Sequence, residues 1–402
     1  MLSSMNSNTA PLTPPAAPLA PAEPATPAEP RVSVVRSNAE FAALAAAWNR
    51  VHEKAAAASV FNSWIWQYHW WQVYGGERDL RILVATEGDD IVGILPAYVQ
   101  ETQVCRIPVR IARFVGSGGD TYPDDLGPLF AAGAEERAGH ALARAALAWS
   151  DVDLVLCTDI DPITAFPSAL ACAAAEKGRA FVQDTSERIA FIRLPASYAE
   201  FLTGLDSKRR YRLRGMRKKL NESYKSRFFV WSDLGAVDRA VDRLAHLHRR
   251  RWEYSGGSES FTSAEYVEFH RRIIKACLQR GWLRLYCLEI EGELAAIYYA
   301  YRFRNSVYLM QTGFDPALRK SSPGSVLLGH ALEHAIGEGN EVFDFLRGEY
   351  HYKNELANGM RETVFAAVYR PTLGALVHRL RRITLPLWKA RLLRRPPPKL
   401  LP

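Results

Sequence analysis

The chain has 402 residues, 48% hydrophobic and 11% aromatic, enough for two or three cores and incompatible with general disorder. No charge-free apolar run reaches the length of a membrane span, no basic-then-apolar leader opens the chain, and the five cysteines are scattered without CxxC spacing. The expectation is a cytoplasmic protein with no disulfide framework and no metal. The net charge of +8 averages two basic patches over an acidic remainder. Residues 207–227 carry ten Lys/Arg against Glu222, and residues 372–402 carry eight Lys/Arg and no acid.

Residues 1–30 are rich in Pro, Ala, Ser and Thr and read as a disordered tail. Helices are expected over 38–54 and 61–74, the second with Trp64, Tyr68 and Trp71 at i, i+4, i+7 as a core stripe. DLRILVATEGDDIVGILPAYV (79–99) reads as strand, acidic turn at Asp89-Asp90, strand. A helix over 136–149 and the strand DVDLVLCT follow. The second half repeats this order: helical segments, the hairpin WLRLYCLEIEGELAAIYYAYR (282–302), a helix over 324–337 and the strand EVFDFL. The two hairpins align without gaps at an offset of 203, which indicates internal duplication. Strands and helices mix without strict βαβ alternation, so the expected class is α/β, with a mixed sheet flanked by helices. The division is a tail (1–30), a first copy (31–197), a second copy (198–371) and a basic amphipathic tail (372–402).

In GFDPALRKSSPGSVLLGHALEHAIGEG (313–339) a basic turn runs straight into an apolar helix. Ser322 suits an N-cap and Pro323 the first helical position. Leu328, Ala331, Leu332, Ala335 and Ile336 mark the buried face. The N–H groups of Gly324, Ser325 and Val326 lack an acceptor within the helix and lie at the positive end of its dipole. With Arg319 and Lys320 on the lip, these are the parts of a phosphate site. A plain helix start with solvated cations is the competing reading.

The pattern Arg319-x-x-Ser322-x-Gly324, after the strand SVYLMQTGF and before an apolar helix, resembles the pyrophosphate loop of GNAT acyltransferases, with Ser322 standing in place of the first glycine. Together with FNSWIWQYHWW, SKRRYRLRGMRKKL and FDFLRGEYHYK, the chain from about 35 to 370 resembles the CelD/BcsL-type acetyltransferases of cellulose and exopolysaccharide biosynthesis. These are related to the Fem-type tandem-GNAT transferases. The resemblance implies two GNAT-like domains, each a mostly antiparallel sheet with flanking helices. It also implies acetyl-CoA or another acyl-CoA as donor and direct transfer to a sugar hydroxyl or amine. A Fem-like transferase using aminoacyl-tRNA or an acyl carrier protein is one rival, and a non-catalytic scaffold in a polysaccharide assembly complex is another.

The corresponding first-copy loop, FVGSGGDTYPDDLGPLF, is acidic and lacks a basic lip, so the donor is assigned to the second copy. Asp120 and Asp125 are then candidates, with Arg347, for binding the acceptor. Acyl transfer also needs a base for the nucleophile's proton and stabilisation of the oxyanion. The richest cluster for these roles is Asp344, Glu349, His351, Tyr352 and Lys353, with Glu349 and His351 as bases and Lys353 on the acceptor or oxyanion. The basic stretch 207–220 carries no base-reading module, which sets direct nucleic-acid recognition aside. The C-terminal tail mixes Leu, Ile and Trp388 with cations and suits peripheral contact with an anionic inner membrane face. A helix packed on the second domain is its alternative.

Overall fold

A computed structural model of the chain describes residues 29–253, 260–348, 351–393 and 400. The expected N-terminal tail falls, up to residue 28, outside the described residues, as do 394–399 near the other end.

The first copy contributes β1 (Arg31–Val35), β2 (Asp79–Leu80), β3 (Ile82–Glu87), β4 (Asp90–Leu95) and β5 (Ala97–Val104). It continues with β6 (Ile107–Phe114), β7 (Leu129–Phe130), β8 (Leu154–Ile160) and β9 (Ala180–Arg193). The second contributes β10 (Ser226–Val230), β11 (Leu283–Ile290), β12 (Glu293–Phe303), β13 (Ser306–Phe314), β14 (Val342–Asp344) and β15 (Gly359–Tyr369). An 11-stranded sheet runs β10-β11-β12-β13-β14-β9-β15-β8-β6-β5-β2, and a 4-stranded sheet runs β1-β3-β4-β7.

The duplication is visible pair by pair. Leu83 faces Leu95, Val84 faces Ile94, Ala85 faces Gly93, Thr86 faces Ile91 and Glu87 faces Asp90. Shifted by 203, Tyr286 faces Tyr298, Cys287 faces Ile297, Leu288 faces Ala296, Glu289 faces Leu294 and Ile290 faces Glu293. The bulge is shared too, between Ala85 and Thr86 and between Leu288 and Glu289. In the first copy the ladder breaks at Pro96, which has no N–H to donate. It resumes with Leu80 facing Tyr98, where the second copy has Leu283 facing Tyr301. That interruption splits the first-copy hairpin between two sheets.

The copies are joined by exchanged strands. β8 runs parallel to β6, and β14 parallel to β13. Each takes its other neighbour from the opposite copy: β14 pairs with β9, and β8 with β15. β9 and β15 pair with each other at the centre. The proposed boundary at 197/198 therefore follows a strand that is hydrogen-bonded on both edges to the second copy.

The expected helices appear as Glu135–Ala148 and Pro323–Gly337. The aromatic helix spans Trp64–Tyr74, but its fully buried side differs from the expected stripe. Trp66 and Trp70 are completely buried, whereas Trp64 and Tyr68 stack 4.5 Å apart at half-buried positions. Trp66 meets Phe269 at 4.9 Å and Tyr301 at 5.8 Å, both from the second copy. The helix is covered by its own copy on one side and the other copy on the next, which widens its buried face.

Candidate active site

β13 and β14 pair over Ser306–Tyr308 and Val342–Asp344 only, and then part. Beyond Tyr308 the β14-facing edge of β13 has no ladder partner among the described residues, and the register with β12 slips so that Met310 is bulged out. The gap is a cavity of about 420 Å³. One wall is Leu309–Thr312, and the other is Leu346, Arg347, Gly348 and Lys353. Arg251, Trp252 and Tyr266 line it from second-copy helices, and Asp120, Tyr122 and Glu187 enter from the first copy. Asp120 is locked in place, since its two carboxylate oxygens accept the hydroxyls of Tyr74 and Ser263. Burial and the neighbouring Asp120 raise the Tyr74 phenol far above its ordinary range, so it stays a donor.

A buried ionic frame stands behind the walls. The Arg347 guanidinium binds Asp159 and lies 3.1 Å from Asp124 and 3.7 Å from Glu187, while its backbone N–H donates to Asp124 at 2.9 Å. Arg361 binds Asp125 and Asp344, each at 2.6 Å. Asp344 also accepts the Leu346 N–H at 2.7 Å. Burial pushes the Asp125 carboxyl up to about 7 despite Arg361, lifts Asp159 to about 6 despite Arg347, and raises Asp344. The Lys353 ammonium donates to the carbonyls of Phe345, Leu346 and Arg347 at 2.8, 3.1 and 2.8 Å, which engages all three of its protons. Burial lowers its pKa to about 8.

These contacts revise several sequence expectations. Asp344 and Asp125 sit in ion pairs away from the cavity wall. Arg347 and Lys353 do reach the wall, but their polar groups are held by carboxylates and carbonyls of the frame. Glu349 lies outside the described residues. His351 and Tyr352 open the helix His351–Leu356, and their side chains lie outside the described residues. Asp120 lines the cavity. Glu187, Arg251, Tyr266 and Gln311 went unmarked because none belongs to a local motif.

The helix mouth adjoins the cavity. Ser322 is the N-cap with φ +50° and ψ +50°, and its side chain makes no capping bond. Its carbonyl accepts the Val326 N–H at 3.1 Å, so Val326 is not one of the open donors expected. Pro323 has no N–H, which leaves Gly324 and Ser325 as donors without an acceptor among the described residues. Tyr298 fixes this turn by donating to the Gly324 carbonyl at 2.9 Å. A Cβ built on Gly324 would stand 3.4 Å from the Phe314 ring, and Arg251 of the cavity lies over that same ring at 5.5 Å. Arg319 and Lys320 occupy the turn Pro316–Ser321. Lys320 and Ser321 share a cavity of about 210 Å³ with Met216, Lys219 and Tyr224. The fold thus joins two separate sequence features, the basic stretch and the helix mouth.

Residues 207–354, which hold the wedge and the mouth, match the family described as acetyltransferase (GNAT) domain. This segment is a GNAT-type acyltransferase domain. The fold of the whole chain is similar to that in the crystal structure of FemX, at 10% identity and a TM-score of 0.58, covering 87% of this chain and 99% of that one. It is also similar to a conserved protein of unknown function from Bacteroides thetaiotaomicron VPI-5482, at 10% identity and a TM-score of 0.52, covering 85% and 100%. Both likenesses span the two copies, and the architecture is a tandem GNAT fold. No curated protein matches the sequence.

The loop of the first GNAT-like copy has been diverted. Gly118 has φ +79°, and a Cβ there would lie 2.4 Å from the Tyr98 hydroxyl, which donates to the Ser117 carbonyl at 2.7 Å. Further on, Leu126 bridges to Ile160, and its N–H donates to the Asp159 carbonyl at 2.8 Å. The acidic run between these points supplies Asp120 to the second-copy cavity and Asp124 and Asp125 to the frame.

Proposed function

We propose that the chain moves an acyl group, acetyl in the first instance, from acyl-CoA to an amine or hydroxyl of a sugar in cell-surface polysaccharide biosynthesis, as the CelD/BcsL-type enzymes it resembles do. The observation that carries this reading is the open wedge of the second copy, with a helix mouth on one side and a first-copy carboxylate on the other. The N–H groups of Gly324 and Ser325, with Arg319 and Lys320, hold the donor's pyrophosphate. The donor supplies the activated carbonyl. Beyond its pairing with β14, the edge of β13 from Leu309 to Gln311 offers backbone groups to the arm of the donor that reaches the cavity, while the Thr312 carbonyl is held by His248 and Arg251. Asp120, fixed by Tyr74 and Ser263, orients the acceptor's N–H or O–H, and orientation of this kind accounts for much of the rate of a direct transfer. The base is drawn from Asp120, Glu187, Glu349 and His351, and single substitutions separate them. In this reading the enzyme is cytoplasmic and meets the inner membrane face through its basic C-terminal segment.

The cavity shared by Lys219, Lys320 and Tyr224 favours a second reading, in which the donor is a larger polyanion such as an aminoacyl-tRNA or an acyl carrier protein. Calorimetric titration with acetyl-CoA and longer acyl-CoAs, each repeated with tRNA as competitor, tests both. Saturable acyl-CoA binding that tRNA leaves unchanged supports the first reading. Displacement by tRNA supports the second, and no binding of any acyl-CoA removes the first.

A further inference from the structure

The segment after β15 is one continuous helical rod: Leu373–Arg379, a π-helical turn Leu380–Thr384, and Leu385–Leu392. Its inner face is fixed. Ala375, His378, Ile383 and Ala390 are buried, and the first three stand near Val109, Ile111, Phe365 and Tyr369 of the central sheet. At Gly374 the approach is so close that a Cβ would lie 2.9 Å from the Pro108 carbonyl. The outer face is equally defined. Leu373, Leu376, Trp388 and Leu392 are 64, 63, 60 and 65% exposed, with Leu380 between them. Residues four apart drift about 40° per step around an α-helix. The wide turn at 380–384 takes up that drift, so Leu376, Leu380, Trp388 and Leu392 stay in one stripe opposite the buried face.

Charge is unbalanced on this side of the molecule. Arg379, Arg381, Arg382, Lys389 and Arg391 flank the stripe, and among the described residues none has a carboxylate within ion-pair distance. A groove of about 470 Å³ runs beside the rod, lined by Arg179, Arg370 and Arg379 together with Tyr369, Leu373 and Leu376. Arg179 and Arg370 donate to carbonyls of Leu147 and Val152, and no acid stands among the described residues lining the groove. Burial and the Arg370 charge lower the pKa of Arg179, and burial with Arg113 and Arg382 holds His378 down at about 4.

We propose that the outer face of Leu373–Leu392 lies in the plane of an anionic phospholipid bilayer, with the leucine–tryptophan stripe in the acyl boundary and a lipid phosphate in the Arg179–Arg370–Arg379 groove. An exposed apolar stripe bordered by cations is what an in-plane interfacial helix requires, and a nucleic acid would leave the stripe in water. Trp388 stands in the interfacial position that tryptophan favours. The inference specifies the membrane contact of the reading above and is independent of the acyl-transfer chemistry.

Removing residues 372–402 would strip the inner face as well and uncover Val109 and Phe365, so point changes on the outer face are the sound test. The full chain is sedimented with vesicles of zwitterionic lipid alone and with added phosphatidylglycerol, at low and high salt, with inorganic phosphate or tRNA as competitor. Binding is expected only with the anionic lipid, weaker in high salt and unchanged by either competitor. Leu376→Glu with Leu380→Glu should lower it at least about a hundredfold, since each fully buried leucine is worth roughly tenfold or more. Arg179→Ala with Arg370→Ala should lower it several-fold. Acyl-CoA titration and circular dichroism should be unchanged in all variants. Equal vesicle binding by the leucine variant would overturn the proposal, as would competition by tRNA at that surface. Loss of acyl-CoA binding in the parent chain would bear on the donor reading alone.

Discussion

Two wedges in this molecule begin alike and end differently. In the second copy β13 and β14 part after Tyr308, and the gap becomes the cavity beside the helix mouth. In the first, β6 and β8 pair only at Ile111–Ala112 with Leu154–Val155, and the chain after β6 returns through Leu126 to lie against β8. The long acidic loop thus occupies its own wedge while sending Asp120, Asp124 and Asp125 across to the second copy. The short second-copy loop instead goes directly into a helix and leaves its wedge open. One duplicated fold therefore yields one open site and one clamp, and loop length and charge decide which is which.

The clamp is where the comparison breaks with the largest effect. Arg361→Ala leaves Asp125 and Asp344 buried without their shared cation, and breaking a buried ion pair in this way costs about 3–5 kcal/mol. Urea denaturation should show it as a lowered midpoint. An unchanged midpoint would mean that the copies are held by the exchanged strands alone. Next comes the crossing carboxylate. Asp120→Asn should keep donor affinity and lower acyl-transfer turnover by about a hundredfold, the lower end of general acid–base contributions. A change in donor affinity without one in turnover would place Asp120 on the wrong side of the site. Arg319→Ala should weaken donor binding by about five- to 150-fold, equivalent to losing roughly 1–3 kcal/mol of a charge-assisted contact. The last test is a pH slope. Asp125 holds its proton up to about pH 7 in the folded chain, against an ordinary value of 3.8. Between those values the folded state binds more protons than the unfolded one, so stability falls as pH rises and levels off above 7. Asp125→Asn should flatten that window in urea midpoints taken from pH 4 to 8.

Much of this was legible from local pattern. The gapless hairpin alignment foretold a register that the strands follow pair for pair, because each hairpin is set by its own turn and its own alternation. A further repeat went unread: Phe61-Asn62-Ser63 and Phe261-Thr262-Ser263 each place a serine at a helix N-cap, 200 residues apart. The helix mouth was legible through Ser-Pro-Gly, although the bond from Val326 to Ser322 removes one expected donor. What was hidden is non-local. Nothing in ERIAFIR or GMRETVFAAVY says that β9 and β15 will pair with each other and trade neighbours. That exchange is what brings Asp124 to Arg347 and Asp125 to Arg361, and so turns expected ligands into a frame. Gly118 shows the same limit. A glutamate there would collide with Tyr98 and disturb the fold, so it is no control for the second-copy loop.

The central claim is that a single donor site exists per chain, at the mouth of the Pro323–Gly337 helix. Gly324 tests it most directly, because a Cβ there meets the Phe314 ring at an ordinary 3.4 Å and the fold tolerates it, while a carboxylate would stand where the pyrophosphate must lie. Isothermal titration of the parent chain and of Gly324→Glu with acetyl-CoA, with circular dichroism on both, is the measurement. The account predicts one site per chain in the parent and none in the folded variant. Two sites in the parent, or unaltered affinity in the variant, would contradict it.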